Sequence, residues 1–153
     1  GKIEYLTKIV GLLNKISDSR KEKVFSFLSQ LKQKDAAPIM MEIINDENNK
    51  PFKDLILNSL WNSSIDYSAY FSDFVEISCK GQYITALECL TILENLKGPF
   101  TEGQILDAQL HLKNYLELEN KKDEKAPLVS EIAVFIKNIN DQFSDIDQEF
   151  MEI

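Results

Sequence analysis

Apolar residues recur at intervals of three and four along almost the entire chain, a spacing that builds amphipathic helices and does not suit strands. Sustained alternation of apolar and polar residues, the mark of a half-buried strand, is found nowhere. A first helix is expected through Ile3, Leu6, Ile9, Val10, Leu13 and Ile16, and a second follows Ser19, whose hydroxyl forms a capping box with Glu22. The next helix has Pro38 in its first turn, where the missing N–H costs nothing, and Ile39, Met40, Ile43 and Ile44 on its core face. The run 46–50 reads as a turn, and Pro51 opens a helix packing Phe52, Leu55, Ile56, Leu60 and Trp61. Asp66 is placed to cap a helix whose stripe is Tyr67, Tyr70, Phe71 and Phe74. Gly81 would end it in the left-handed conformation.

The stretch 82–96 is apolar nearly all round. It leaves a narrow polar stripe of Thr85, Glu88, Thr91 and Asn95, so burial on both flanks is expected, with Leu87 and Leu90 in the core. Gly98-Pro99 stops it, and Thr101 with Gln104 begins another helix through Ile105, Ala108, Leu112 and Tyr115 to about Asn120. Residues 121–125 read as a solvated turn. Pro127 then opens a helix with Leu128, Ile132, Phe135, Ile136 and Ile139. The acidic segment 144–153 carries Ile146, Phe150 and Ile153 at helical spacing, which favours a docked terminal helix over a free tail. Together these features predict one all-α domain over 1–153, with N-terminal helices over 2–34.

From residue 36 onward the helices fall into pairs, 36–62, 67–96 and 102–143, whose first members begin about 30 to 35 residues apart, as in a helical solenoid. Each second helix places two adjacent apolar residues before a further one: Leu55-Ile56 with Leu60, Ala86-Leu87 with Leu90, and Ile132-Ala133 with Ile136. The stretch 43–61, with Asp46 in its turn and Lys50 or Lys53 after it, resembles the HEAT and armadillo-like helical-repeat family. The second pair departs from that pattern, with Lys80-Gly81 where the Asp would stand, and the third has a longer turn. The resemblance implies stacked antiparallel hairpins in a short right-handed α-solenoid, a protein-binding scaffold whose second helices line its concave surface. The alternative architecture is an irregular α-helical bundle. The resemblance carries over no catalytic residue.

Charge narrows the partners. The net charge is −8, and residues 54–153 carry 18 acidic against 7 basic side chains. Such a surface repels phosphate backbones, and only Arg20 among the 17 cations is an arginine, so nucleic acid is not the expected partner. No apolar run approaches the ~20 residues that span a bilayer. Cys79 and Cys89 are too few for a disulfide scaffold and lack the Cys-x-x-Cys spacing, so buried thiols in a cytoplasmic protein are expected. The chain opens at Gly1-Lys2 without a Met, as after tag cleavage, which leaves a preceding leader or domain open.

Catalytic chemistry finds little to use. His111 is the only histidine, and with Asp107 one turn earlier it reads as a surface pair rather than a metal site, for which zinc would need three or four protein ligands. Gly98 and Gly103 make no phosphate loop, so no cofactor is expected. Trp61 near Asp66 lacks the basic groove that a DNA glycosylase would need. The carboxylates Asp73, Glu76, Glu117 and Glu119 have no spacing that selects them as catalysts. The expected function is therefore a noncatalytic protein-interaction module. Its surface would be the polar stripe of the second helices: Asp54, Asn58, Thr85, Glu88, Thr91, Asn95, Glu131 and Asn138. The alternative is a small acidic inhibitor or immunity-type protein that plugs a basic partner such as a nuclease.

Overall fold

The computed structural model describes Glu22, Lys23, Ser26 and residues 36–118 and 123–151, with side chains as far as 143. The helices expected over 2–34 lie almost entirely outside the described residues. Everything described is helix or connection, with no strand among the described residues. The chain divides into two compact units, 1–67 and 68–153, and the boundary falls where the second expected pair begins.

In the first unit, α1 spans Ala36–Asn45 and α2 spans Lys53–Asn62. The connection is not a plain turn: Glu47–Phe52 winds as a 3-10 helix. Asp46 Oδ1 accepts the Asn48 N–H at 3.0 Å and so satisfies one of its free donors. Asn49 Nδ2 donates to the Ile43 carbonyl at 3.0 Å, which closes the end of α1. Met40, Ile43, Ile44, Ile56, Leu57 and Leu60 are buried here. Leu55 and Trp61 are exposed, contrary to the expectation that α2 packs them.

In the second unit, a short 3-10 turn over Ser68–Tyr70 leads into α3 (Phe71–Lys80), followed by α4 (Tyr83–Asn95), α5 (Glu102–Leu116) and α6 (Ala126–Met151). α3 and α6 each pack on both α4 and α5, and they also meet each other, with the Phe71 and Phe135 rings 6.1 Å apart. Two stacked hairpins and a four-helix bundle both produce this arrangement. The aromatic stripe of α3 faces inward, with Phe71 and Phe74 fully buried and the Phe71 ring 4.6 Å from that of Phe100. Thr101 and Gln104 form the expected capping box at the start of α5, at 3.1 and 2.8 Å. Ser68 fastens the α4–α5 connection: its hydroxyl accepts the Gly98 N–H at 2.9 Å, and its carbonyl accepts Gln104 Nε2 at 3.0 Å.

Three local expectations are corrected. Gly81 is extended, with φ −84° and ψ −175°, not left-handed. Its hydrogen is needed for space, since a Cβ there would lie 2.7 Å from Thr85 Cγ2 and 2.9 Å from the Ile77 carbonyl. The left-handed glycine is Gly98, φ 70°, after α4. The turn before α6 is not solvated throughout, because Lys125 is buried at 6% exposure. The acidic C-terminal segment is no separate helix, since α6 runs on unbroken to Met151.

Candidate functional site

On α4 the exposed face follows from which side the core claims. Ala86, Cys89, Leu90, Leu93 and Thr85 are buried. The solvent side therefore runs through Ile84, Leu87, Glu88, Thr91 and Asn95, positions that share one helix face at 100° per residue. Relative to the polar stripe read from sequence, this face keeps Glu88, Thr91 and Asn95, loses Thr85 and gains Ile84 and Leu87. Thr85 is only 7% exposed, packed over Gly81, and cannot belong to a binding surface. Leu87, expected in the core, is 38% exposed. Thr91 Oγ1 donates to the Leu87 carbonyl at 3.1 Å, and Asn95 Nδ2 to the Thr91 carbonyl at 2.7 Å, so both side chains are partly committed to their own helix.

On α6, Glu131 and Asn138 are exposed as expected, and Val134 between them is exposed too. Each of these faces lies on the side of its helix opposite the buried residues. Their apolar members are Ile84 and Leu87 on α4 and Val134 on α6, and their acidic ones Glu88 and Glu131. Asp54 and Asn58 belong to the first unit, half-buried on α2, where Asn62 Nδ2 donates to the Asn58 carbonyl at 2.9 Å. Sequence reasoning missed Ile84 and Val134 because an apolar residue on a largely apolar helix gives no sign of which side faces solvent.

Two polar clusters lie inside the second unit. Lys125 Nζ donates to the Cys79 carbonyl at 2.7 Å and to the Gly81 carbonyl, at the C-terminus of α3. It lies 3.7 Å from Asp123 Oδ2 and 5.4 Å from the Tyr115 ring centre. Tyr115 Oη donates to Asp123 Oδ2 at 3.0 Å, and the Lys125 N–H to Asp123 Oδ1 at 3.2 Å. Partial burial would raise the Asp123 carboxyl, but those two hydrogen bonds and the ammonium outweigh it and hold the carboxyl below its ordinary range. Burial, helped by the hydrogen bond to Asp123, pushes the Tyr115 phenol up to about 12. Burial likewise pushes the Cys79 thiol up to about 11, against the attraction of Lys125. A protonated phenol, an inert thiol and a fully engaged ammonium make a structural clasp and leave no nucleophile.

The second cluster corrects the expected His111–Asp107 surface pair. His111 Nε2 instead meets Glu76 Oε2 on α3 at 3.3 Å, and Glu76 Oε1 meets Lys80, also at 3.3 Å. Desolvation, then the neighbouring charge of Glu76, raises the Asp73 carboxyl above its ordinary range, with a smaller push from Asp107. Among the described residues, no three His, Cys, Asp or Glu side chains are grouped to hold a metal ion. Among the same residues, no helix is long and apolar enough to cross a membrane.

Comparison with family models, with curated proteins and with solved structures finds no match to this chain.

Proposed function

We propose that the protein is a noncatalytic interaction module, in which α3–α4 and α5–α6 stack as two hairpins of a short HEAT-like array. The outward faces of the second helices would then meet a partner protein. The observation that carries this reading is the exposure of Ile84, Leu87 and Val134 on the outward faces of α4 and α6, while the opposite sides of both helices are buried. Apolar anchors ringed by polar side chains are the usual makings of a protein-binding hot spot. Glu88, Thr91, Asn95, Glu131 and Asn138 supply that ring. Thr85 leaves the surface proposed from sequence, and Asp54 and Asn58 fall in the other unit.

The second reading, an acidic inhibitor of a basic partner, draws on the 16 acidic against 7 basic side chains of residues 68–153. Opposite fields speed association with a basic protein. The test is a photo-crosslinking residue placed at Glu88 in the full chain, exposed to extract from the source cell. A discrete cross-linked protein that disappears with Leu87→Asp is expected. Cross-linking that is diffuse, or indifferent to Leu87→Asp, overturns the reading.

A further inference from the structure

A second apolar surface stands on α5. The helix meets the core through Ile105, Ala108 and Leu112, all buried. Leu106 and Leu110 lie on the opposite side, at 65% and 53% exposure. Four residues apart, they form a single ridge about 6 Å long on the solvent face. Isolated exposed leucines are ordinary, but two in one row at the centre of a helix's solvent face, each with more than half of its surface open, mark a contact surface. Glu102 lies one turn before the ridge and Asp107 beside it, while Lys113 follows it by one turn and Glu117 by two, at the C-cap of α5.

We propose that this face of α5 docks a basic amphipathic helix of a partner protein, with Leu106 and Leu110 as anchors and the three carboxylates as a rim for Lys or Arg. The proposal rests on the interaction-module reading and adds a second surface to it. Charge chooses the occupant. A second copy of this chain would set the same carboxylates against one another, with one lysine from each side to offset them. A nucleic acid would be repelled by the same rim. A helix with apolar residues at positions i and i+4, flanked by cations, seats its own ridge beside Leu106 and Leu110 and neutralises the rim.

The experiment titrates a fluorescent Leu/Lys peptide of helical spacing into the full chain and follows anisotropy, with a Leu/Glu peptide of the same spacing beside it. Saturable binding of the Leu/Lys peptide is expected, weakening as salt rises and screens the rim. Leu106→Gln/Leu110→Gln keeps good helix formers at exposed sites, so the fold and its melt should persist. The double change should weaken binding by about tenfold or more, as loss of hot-spot anchors does. Glu102→Gln/Glu117→Gln should weaken it and flatten its salt dependence. Equal binding of the Leu/Glu peptide, absence of binding, or unchanged affinity of Leu106→Gln/Leu110→Gln overturns the α5 site. Leu87→Gln/Val134→Gln is measured in parallel: if only that variant loses the peptide, the α5 inference fails while the module reading stands.

Discussion

Replacing Lys125 by Met should cost the second unit more than any surface change. The aliphatic stem is kept in substance, so little packing is lost. What disappears is the ammonium that serves the Cys79 and Gly81 carbonyls at the end of α3. Hydrogen bonds to a charged group contribute ~1.5–3 kcal/mol each, and a buried carbonyl left unpaired costs ~1–3 kcal/mol. The ammonium also faces the negative end of the α3 dipole, for up to ~2 kcal/mol in partly buried geometry. Against this stands the desolvation of Lys125 itself, which Met does not suffer and which offsets several kcal/mol of the gross gain. The net loss is about 2–4 kcal/mol. At ~4–8 °C per kcal/mol for a unit of this size, melting followed by circular dichroism should fall by about 8–30 °C. Lys113→Met, at an exposed position on α5, should stay within about 0.5 kcal/mol of the parent. If Lys125→Met were equally neutral, the carbonyls would be satisfied without the ammonium, and the clasp would not hold α3.

In the core of α4, Leu90→Ala should cost ~2–5 kcal/mol in denaturant unfolding, whereas half-exposed Leu87→Ala should cost under about 1 kcal/mol; equal losses would mean that the helix is rotated from the orientation described. Both thiols should react slowly with a neutral maleimide in the native protein and quickly in denaturant, because Cys79 and Cys89 are buried and Cys79 holds its proton to about pH 11; fast native labelling of either would contradict this. The depressed carboxyl of Asp123 gives stability that is present above its unfolded pKa and lost as pH falls through the folded one, so Asp123→Asn should flatten the acid limb of the melting profile. Asp73 has the opposite sign: its raised carboxyl binds its proton earlier in the folded chain, so its contribution to stability improves as pH falls toward the raised pKa. Asp73→Asn should therefore raise the melting temperature slightly at pH 7, an effect that added salt shrinks; a lower melting temperature would show that the carboxylate is stabilising.

Among the described residues helix existence was legible from residue spacing, and so was the capping box that opens α5, whereas the left-handed cap expected at Gly81 is absent. Thr101 with Gln104 works from sequence because both partners lie within one turn. Core faces with a clear polar opposite, such as Phe71 and Phe74 on α3, were legible for the same reason. The rotation of α4 was not, because with apolar residues on nearly every side the choice between Thr85 and Leu87 as the buried one is made by packing over Gly81. Lys125 was hidden for a different reason. A lysine in a run of charges looks solvated, and its partners are the backbone oxygens of residues 46 and 44 positions earlier, which no sequence pattern announces. The pairing of His111 with Glu76 rather than Asp107 likewise depends on how α3 meets α5.

The fastening at Ser68 bears on the order in which a ribosome delivers this unit. Ser68 emerges first, yet the Gln104 amide that binds its carbonyl follows 36 residues later. The α3–α4 hairpin therefore leaves the exit tunnel with the ends of its polar backbone still open. Only the arrival of α5, and then of the segment leading into α6, closes them. In an array of self-sufficient repeats each hairpin could settle as it appears. Here the bonds that close the earlier hairpin come from the later one, so a chain stalled after α4 would lack all of them.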